Sequence, residues 1–281
     1  MKLCRYGKPG YEKPGMIDDE GKLRDLSKIV DNLGPNEISP RGLKMLTRLK
    51  PESLPLVNGT PRYGVPYVGI GKFVAIGLNY SDHAKEAGLP IPPEPIVFMK
   101  ATTCISGPND DVIQPKNSTK LDWEVELGVV LGTTARYVDE ESALNYVAGY
   151  CIVNDVSERS FQMATTQWDK GKGFDTAGPI GPWLVTTDEI RDPQMLDMAL
   201  EVNGKRMQSG NTRTMVFNVS KLISHVSQYM TLLPGDIIAT GTPPGVGLGM
   251  KPPVFLKSGD VMRLTIAGLG EQKQRVVAYS A

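Results

Sequence analysis

Short apolar or alternating runs, each bounded by glycine, proline or acidic turn residues, dominate this chain and predict strands over 73–77, 95–100, 123–131, 147–154 and 237–240. Residues 2–6 and 15–17 read as two more short strands, Asp18-Asp19-Glu20-Gly21 as a hairpin turn, and 39–49 as a helix with Pro40 in its first turn. Asn203-Gly204, flanked by Leu200-Glu201-Val202 and Lys205-Arg206-Met207, signals a two-residue hairpin, and Gly268-Leu269-Gly270-Glu271 joins two further antiparallel strands. Helical spacing occurs over 81–87, 140–146, 157–163 and 219–230, too irregularly placed for a run of βαβ units. The pattern therefore predicts an α+β fold, mixed and mainly antiparallel. Residues 55–66, punctuated by proline and glycine, read as a linker between a small N-terminal domain, 1–68, and a larger domain, 69–281.

A chain of 281 residues can bury roughly three quarters of its unfolded surface. With 40% hydrophobic and 22% charged residues it reads as globular, and 30 glycines with 22 prolines favour turns and shaped loops over a helical bundle. Its 31 basic and 31 acidic side chains cancel, so no field gathers phosphate backbones or anionic lipid, and neither nucleic acid nor a membrane is an expected partner. The first residues carry no apolar leader, and no run approaches the roughly 18 apolar residues of a membrane span. Cys4, Cys104 and Cys151 lie far apart with no C-x-x-C pair, which predicts a reducing, cytoplasmic setting. His83 and His225 are the two histidines, so any metal must sit mainly among oxygen ligands.

Oxygen ligands are available. In Asp122-Trp123-Glu124-Val125-Glu126-Leu127, strand alternation sets Glu124 and Glu126 on one face. That pair is either the solvated side of a half-exposed sheet or a bed for a hard divalent ion. Asp155 follows the apolar run Tyr150-Cys151-Ile152-Val153-Asn154, where a strand breaks into a helix opened by Ser157, and is either a third ligand or a turn acid. Arg159 and Gln162, three apart on that helix, share a face suited to a carboxylate or to solvent. Ser81 caps a short helix that puts His83 and Glu86 on one side, a dyad in which the carboxylate raises imidazole basicity. His225 lies inside an amphipathic helix and reads as packing. Gly241-Thr-Pro-Pro-Gly245-Val-Gly247 matches no phosphate loop, and Pro243-Pro244 forbids an immediate helix.

Glu124-x-Glu126, Asn154-Asp155-Val-Ser-Glu-Arg159-x-x-Gln162, Gly171-Lys172-Gly173 and Thr240-Gly241-Thr242-Pro243-x-Gly245-Val246-Gly247 follow one another as in the fumarylacetoacetate hydrolase superfamily, which residues 70–281 resemble together with Asn79-Tyr80-x-x-His83. The resemblance implies a homodimer of a mixed β-roll fold that binds Mg2+ or Mn2+ through Glu124, Glu126 and Asp155. It further implies His83 with Glu86 as the general base on a lid, Lys172, in preference to Lys170, as the stabiliser of an enolate, and Thr240, Gly241 and Thr242 along the substrate pocket. Gln167-Trp-Asp-Lys-Gly-Lys172 and Gly178-Pro-Ile-Gly-Pro182 are similar to a branch with 2,4-diketo-3-deoxy sugar acid hydrolases and proteins labelled ureidoglycolate lyase. Met163-Ala-Thr-Thr-Gln167 stands where that branch carries Gly-Gly.

The expected activity is metal-dependent hydrolysis of a C–C bond in a 2,4-dioxo acid of the acylpyruvate type, giving pyruvate and a second acid. An isomerase, decarboxylase or ureidoglycolate-type lyase acting on a related oxo-acid starts from the same chelated group. A non-catalytic metabolite-binding protein is the reading from another class, and the His83–Glu86 pair speaks against it.

Overall fold

The longest apolar runs become the centre of a ten-stranded sheet in the computed structural model, which describes residues 1–280. The chain begins with β1 (Lys2–Tyr6), β2 (Lys13–Ile17), β3 (Leu23–Asp25), α1 (Pro40–Leu46), β4 (Phe73–Gly77), α2 (Ser81–Ala87) and β5 (Ile96–Lys100). The short strands β6 (Ile105–Ser106), β7 (Val112–Gln114) and β8 (Leu121–Asp122) lead into β9 (Val125–Leu131) and β10 (Val147–Asn154). Then come β11 (Ser157–Glu158), α3 (Arg159–Gln162), α4 (Asp169–Lys172), β12 (Gly178–Thr186), β13 (Asp197–Val202) and β14 (Lys205–Asn211). The last elements are α5 (Val219–Tyr229), β15 (Ile237–Ala239), β16 (Val261–Ile266) and β17 (Gly270–Ala278).

The main sheet runs β3-β2-β1-β12-β10-β9-β15-β4-β5, with β6 beside β12; it ends on β3 and β5 and so does not close into a barrel. A second, five-stranded sheet, β14-β13-β16-β17-β7, lays β16 and β17 against the main sheet near β9, β10 and β12. β4–β15, β6–β12 and β7–β17 run parallel, whereas the pairs that build most of both sheets are antiparallel, as the sequence pattern predicts. Every residue of β9 and β10 is buried, which is why these strands read as almost unbroken apolar runs. Pairing of β1 with β12 continues the main sheet into the first strands, and residues 55–66 run alongside, with Val57 N–H on Leu23 O and Gly64 N–H on Arg5 O.

Several local readings change. Residues 140–146 form a 3-10 rather than an α-helix. The helix placed at 157–163 starts only at Arg159, because Ser157 and Glu158 pair with β8 and the Glu158 carboxylate caps the helix by accepting Phe161 N–H. Ser81 is the first helical residue of α2 rather than its cap. β12 carries Pro179 and Pro182, which as sequence argue against a central strand. It is accommodated because the β10–β12 register shifts between Tyr150 and Ile152, so Pro182 falls where no ladder bond is needed.

At that interruption, side-chain amides from the second sheet take over. Gln272 Nε2 donates to Ile152 O at 2.8 Å and Gly181 O at 3.0 Å. Gln274 donates to Pro108 O and Gln272 Oε1, and accepts from Asn154 Nδ2 at 3.1 Å. Asn154 Oδ1 in turn faces Glu124 N–H at 3.3 Å. Gln274→Ala leaves the Asn154 amide with the weak Met262 sulfur as acceptor and strips the Pro108 carbonyl of its Gln274 donor in a buried place, and is expected to cost ~1–3 kcal/mol, read as a lowered urea midpoint.

Candidate active site

The pairing of β9 with β10 brings the carboxylates together. Val125 lies opposite Asn154 and Glu126 opposite Val153, so the start of one strand meets the end of the other. Asp155 N–H then donates to Glu124 O at 2.9 Å, closing the junction. As a result Glu124, Glu126 and Asp155 each offer a carboxylate oxygen within 4.8 Å of the others. Glu124 and Glu126 are 6% and 2% exposed, which removes the solvated-face reading of the E-x-E pair.

Buried carboxylates need compensation. Lys172 Nζ, from α4, bridges Glu124 Oε2 and Asp155 Oδ2, both at 2.7 Å. Lys100 Nζ, at the end of β5, donates to Asp155 Oδ1 at 2.6 Å and to the Lys172 carbonyl. Arg159 spreads its guanidinium over Asp122 Oδ2 at 2.8 Å, Glu124 Oε1 at 2.6 Å and Gln162 Oε1 at 3.0 Å. Asp122 is also held by the Gly247 and Leu248 N–H groups at 2.7 and 3.0 Å. Glu126 accepts Gly241 N–H at 2.9 Å and, among the described residues, no other donor. Four carboxylates thus face three cations.

The electrostatics follow. Burial alone would raise the Glu124 carboxyl, but Lys172 and Arg159 hold it down at about 2. Burial, reinforced by Asp155 and Glu124, pushes Glu126 well above the carboxylate range. Burial would lower the Lys172 ammonium, yet Asp155 and Glu124 carry it above the ordinary lysine value.

This cluster floors a cavity of about 760 Å³ whose lining includes Glu124, Glu126, Arg159, Gln162, Lys172 and Thr242. His83 and Glu86 open onto the same space from α2, with His83 Nδ1 and Glu86 Oε2 3.1 Å apart. Glu86 is itself fixed by Gly245 N–H at 3.0 and 3.1 Å to its two oxygens. Asp155 lies beneath Lys172, and Thr240 and Gly241 stand behind Glu126: the Thr240 hydroxyl donates to Leu127 O at 3.0 Å, the Thr242 hydroxyl to Val125 O at 2.9 Å. His225 packs edge-on against Tyr229, 5.0 Å between ring centroids, on α5.

Sequence reasoning missed Lys100 and Asp122. Lys100 ends an apolar strand and looks like an ordinary strand-terminal lysine; Asp122 precedes Trp123 like any strand-entry acid. Gln208 was missed too: its Oε1 accepts Val125 N–H at 2.9 Å and its Nε2 donates to Thr242 Oγ1 at 2.8 Å, tying the carboxylate strand to the Thr242 loop.

Lys100→Met leaves Asp155 with half its compensation, and breaking such a buried pair is expected to cost ~3–5 kcal/mol. Urea unfolding checks this, and Lys100→Met combined with Asp155→Asn should recover part of the loss, because the uncompensated charge is then gone.

Residues 72–277 match the fumarylacetoacetate (FAA) hydrolase C-terminal family. A Burkholderia multivorans protein, provisionally named a hydrolase, is 62% identical over 276 residues, covering 98% of each chain. The fumarylacetoacetate hydrolase of psychrophilic Exiguobacterium antarcticum shares the fold with a TM-score of 0.89 at 36% identity, covering 99% of this chain and 100% of its own. The maleylpyruvate hydrolase of Sphingobium sp. SYK-6, solved with manganese(II) and pyruvate, gives a TM-score of 0.83 at 29% identity over 100% of both chains. No described helix is long and apolar enough to cross a membrane. By sequence and by fold alike, the chain belongs to the fumarylacetoacetate hydrolase superfamily of enzymes.

Proposed function

We propose that this enzyme is a divalent-metal-dependent hydrolase that cleaves the C3–C4 bond of a 2,4-dioxo acid of the acylpyruvate class, giving pyruvate and a second carboxylic acid. The observation that carries the reading is one cavity onto which Glu124, Glu126 and the His83–Glu86 pair open, with Asp155 within 4.8 Å of the two glutamates behind it. The donor set fits a hard cation: all oxygen, one carboxylate in excess of the cations, and Glu126 short of partners. Glu124, Glu126 and Asp155 would hold Mg2+ or Mn2+, which when bound acts as a Lewis acid toward the 2-oxo group.

The chain's own groups divide the remaining work. Gln162 lines the cavity with its Oε1 taken by Arg159, which leaves its NH2 group as the donor for the ligand's acid end. Nδ1 of His83 faces Glu86, so the other ring nitrogen takes a proton from water while Glu86 steadies the imidazolium. That water adds to the C4 carbonyl, the C3–C4 bond breaks, and its electron pair leaves on the pyruvate enolate. Lys172, whose ammonium sits in the cavity floor, stabilises the enolate oxygen until the proton held by His83 is returned to C3, which completes pyruvate.

The test is a panel of 2,4-dioxo acids followed by loss of enol absorbance, with products identified. Turnover should vanish in EDTA and return with Mg2+ or Mn2+, and His83→Ala should lower kcat about 100-fold or more while leaving Mn2+ affinity intact. Undiminished cleavage after chelation overturns the metal role; isomerised or decarboxylated products overturn the hydrolytic outcome.

Cation affinity should also depend on pH. Glu126, raised by burial and by Asp155 and Glu124, must release its proton to ligate. Across the range in which Glu126 is protonated, Mn2+ affinity is expected to climb about tenfold per pH unit and to level off above its pKa. Calorimetric titrations at stepped pH read this directly.

A further inference from the structure

Beyond the polar floor, the cavity changes character. Its walls carry Leu89, Ile96, Phe98, Met163, Trp168 and Leu248. Four of these are unusually open for large apolar side chains: Ile96 is 36% exposed, Leu248 41%, Leu89 54% and Met163 69%. Scattered exposed apolar residues need no explanation, but several converging on one concavity mark a surface meant to be covered.

Two aromatic rings organise the wall. Phe98 and Trp168 meet edge to face with centroids 5.3 Å apart. The Lys172 ammonium stands 5.3 Å from the Phe98 centroid, so the aromatic surface begins beside the proposed enolate site. The indole can lie this close to the end of β4 because residue 77 is glycine: a Cβ there would come within 2.6 Å of Trp168 Cζ3.

The cations of the floor are already engaged. Arg159 is spread over Asp122, Glu124 and Gln162, Lys172 over Glu124 and Asp155, and Lys100 over Asp155. Gln162 and the metal would serve one carboxylate. For a second, at the far end of the ligand, the described lining offers Lys251 alone, an exposed side chain at the mouth. An exposed ammonium binds a carboxylate weakly, whereas the apolar wall contributes with every group it covers.

We infer that the acyl group on C4 is uncharged and apolar, an alkyl chain or a phenyl ring, and that it seats against Phe98 and Trp168. This rests on the acylpyruvate reading above and adds the class of substituent the site accepts.

The experiment compares kcat/KM for acetylpyruvate, butanoylpyruvate, hexanoylpyruvate, benzoylpyruvate and maleylpyruvate with the Mg2+-loaded full-length enzyme. Each added methylene should raise kcat/KM about fourfold, equivalent to ~0.8 kcal/mol, and maleylpyruvate should fall below acetylpyruvate. Trp168→Ala should collapse the hexanoyl-to-acetyl ratio at least tenfold, and thermal melting verifies that the variant is folded. Preference for maleylpyruvate, lost in Lys251→Ala, overturns the inference and leaves the hydrolase reading standing. A flat alkyl series unaffected by Trp168→Ala also overturns it. Cleavage of none of the five sinks the hydrolase reading, and the inference with it.

Discussion

The register that sets Val125 opposite Asn154 decides which carboxylates meet. Side chains alternate with a period of two, so a slip of one residue would turn Glu126 away from Asp155 and aim a valine or leucine into the cavity. The register is over-determined from outside the two strands. Gln208 reaches from β14 to the Val125 amide, Gln274 on β17 holds the side chain of Asn154, whose Oδ1 faces the Glu124 amide, and Gln272 carries bonds to Ile152 and Gly181 that the broken β10–β12 ladder cannot make. Glutamines in the second sheet thereby hold acids in the first.

Charge is the second consequence of that geometry. Packing Glu124, Glu126, Asp155 and Asp122 into a buried junction would be prohibitive without Lys100, Lys172 and Arg159. Each cation touches at least one acid directly, and two of them touch two. The balance is still one positive charge short, and the shortfall concentrates on Glu126, whose donor among the described residues is a backbone amide. Burial next to Asp155 and Glu124 raises the Glu126 carboxyl, so the uncompensated charge of the junction and the upward pull on this proton have the same origin.

Much of this was legible in the chain because it depends on local spacing. His83 and Glu86 needed a single turn of helix, Arg159 and Gln162 likewise, and the Asn203-Gly204 hairpin and the strand over 147–154 emerged where alternation and turn chemistry placed them. What local spacing cannot carry is partner choice. Nothing in Ile96–Lys100 says that its lysine turns inward to meet an acid 55 positions later. Asp122 gives no sign that two amides from residues 247 and 248 will close over it. β12 was hidden for a different reason: its prolines argue against a central strand, and it is the bulge in its partner ladder that makes room for Pro182.

The floor and the walls of the cavity are built differently, and the difference bears on how such a site acquires its preference. Floor groups stand at the ends of β9 and β10 and on α3 and α4; Glu124, Asp155, Arg159 and Lys172 are each pinned by two or more hydrogen bonds or ion pairs, and Glu126 by the Gly241 amide. The wall groups Leu89, Ile96, Met163, Trp168 and Leu248 sit at element ends or in the connections between them, and they are held by packing. A change in the floor disturbs a charge balance that the fold depends on, whereas a change in the wall alters only shape and apolar area. On the proposed hydrolase reading, chemistry belongs to the sheet junction, and the choice of acyl group to wall side chains outside its charge balance.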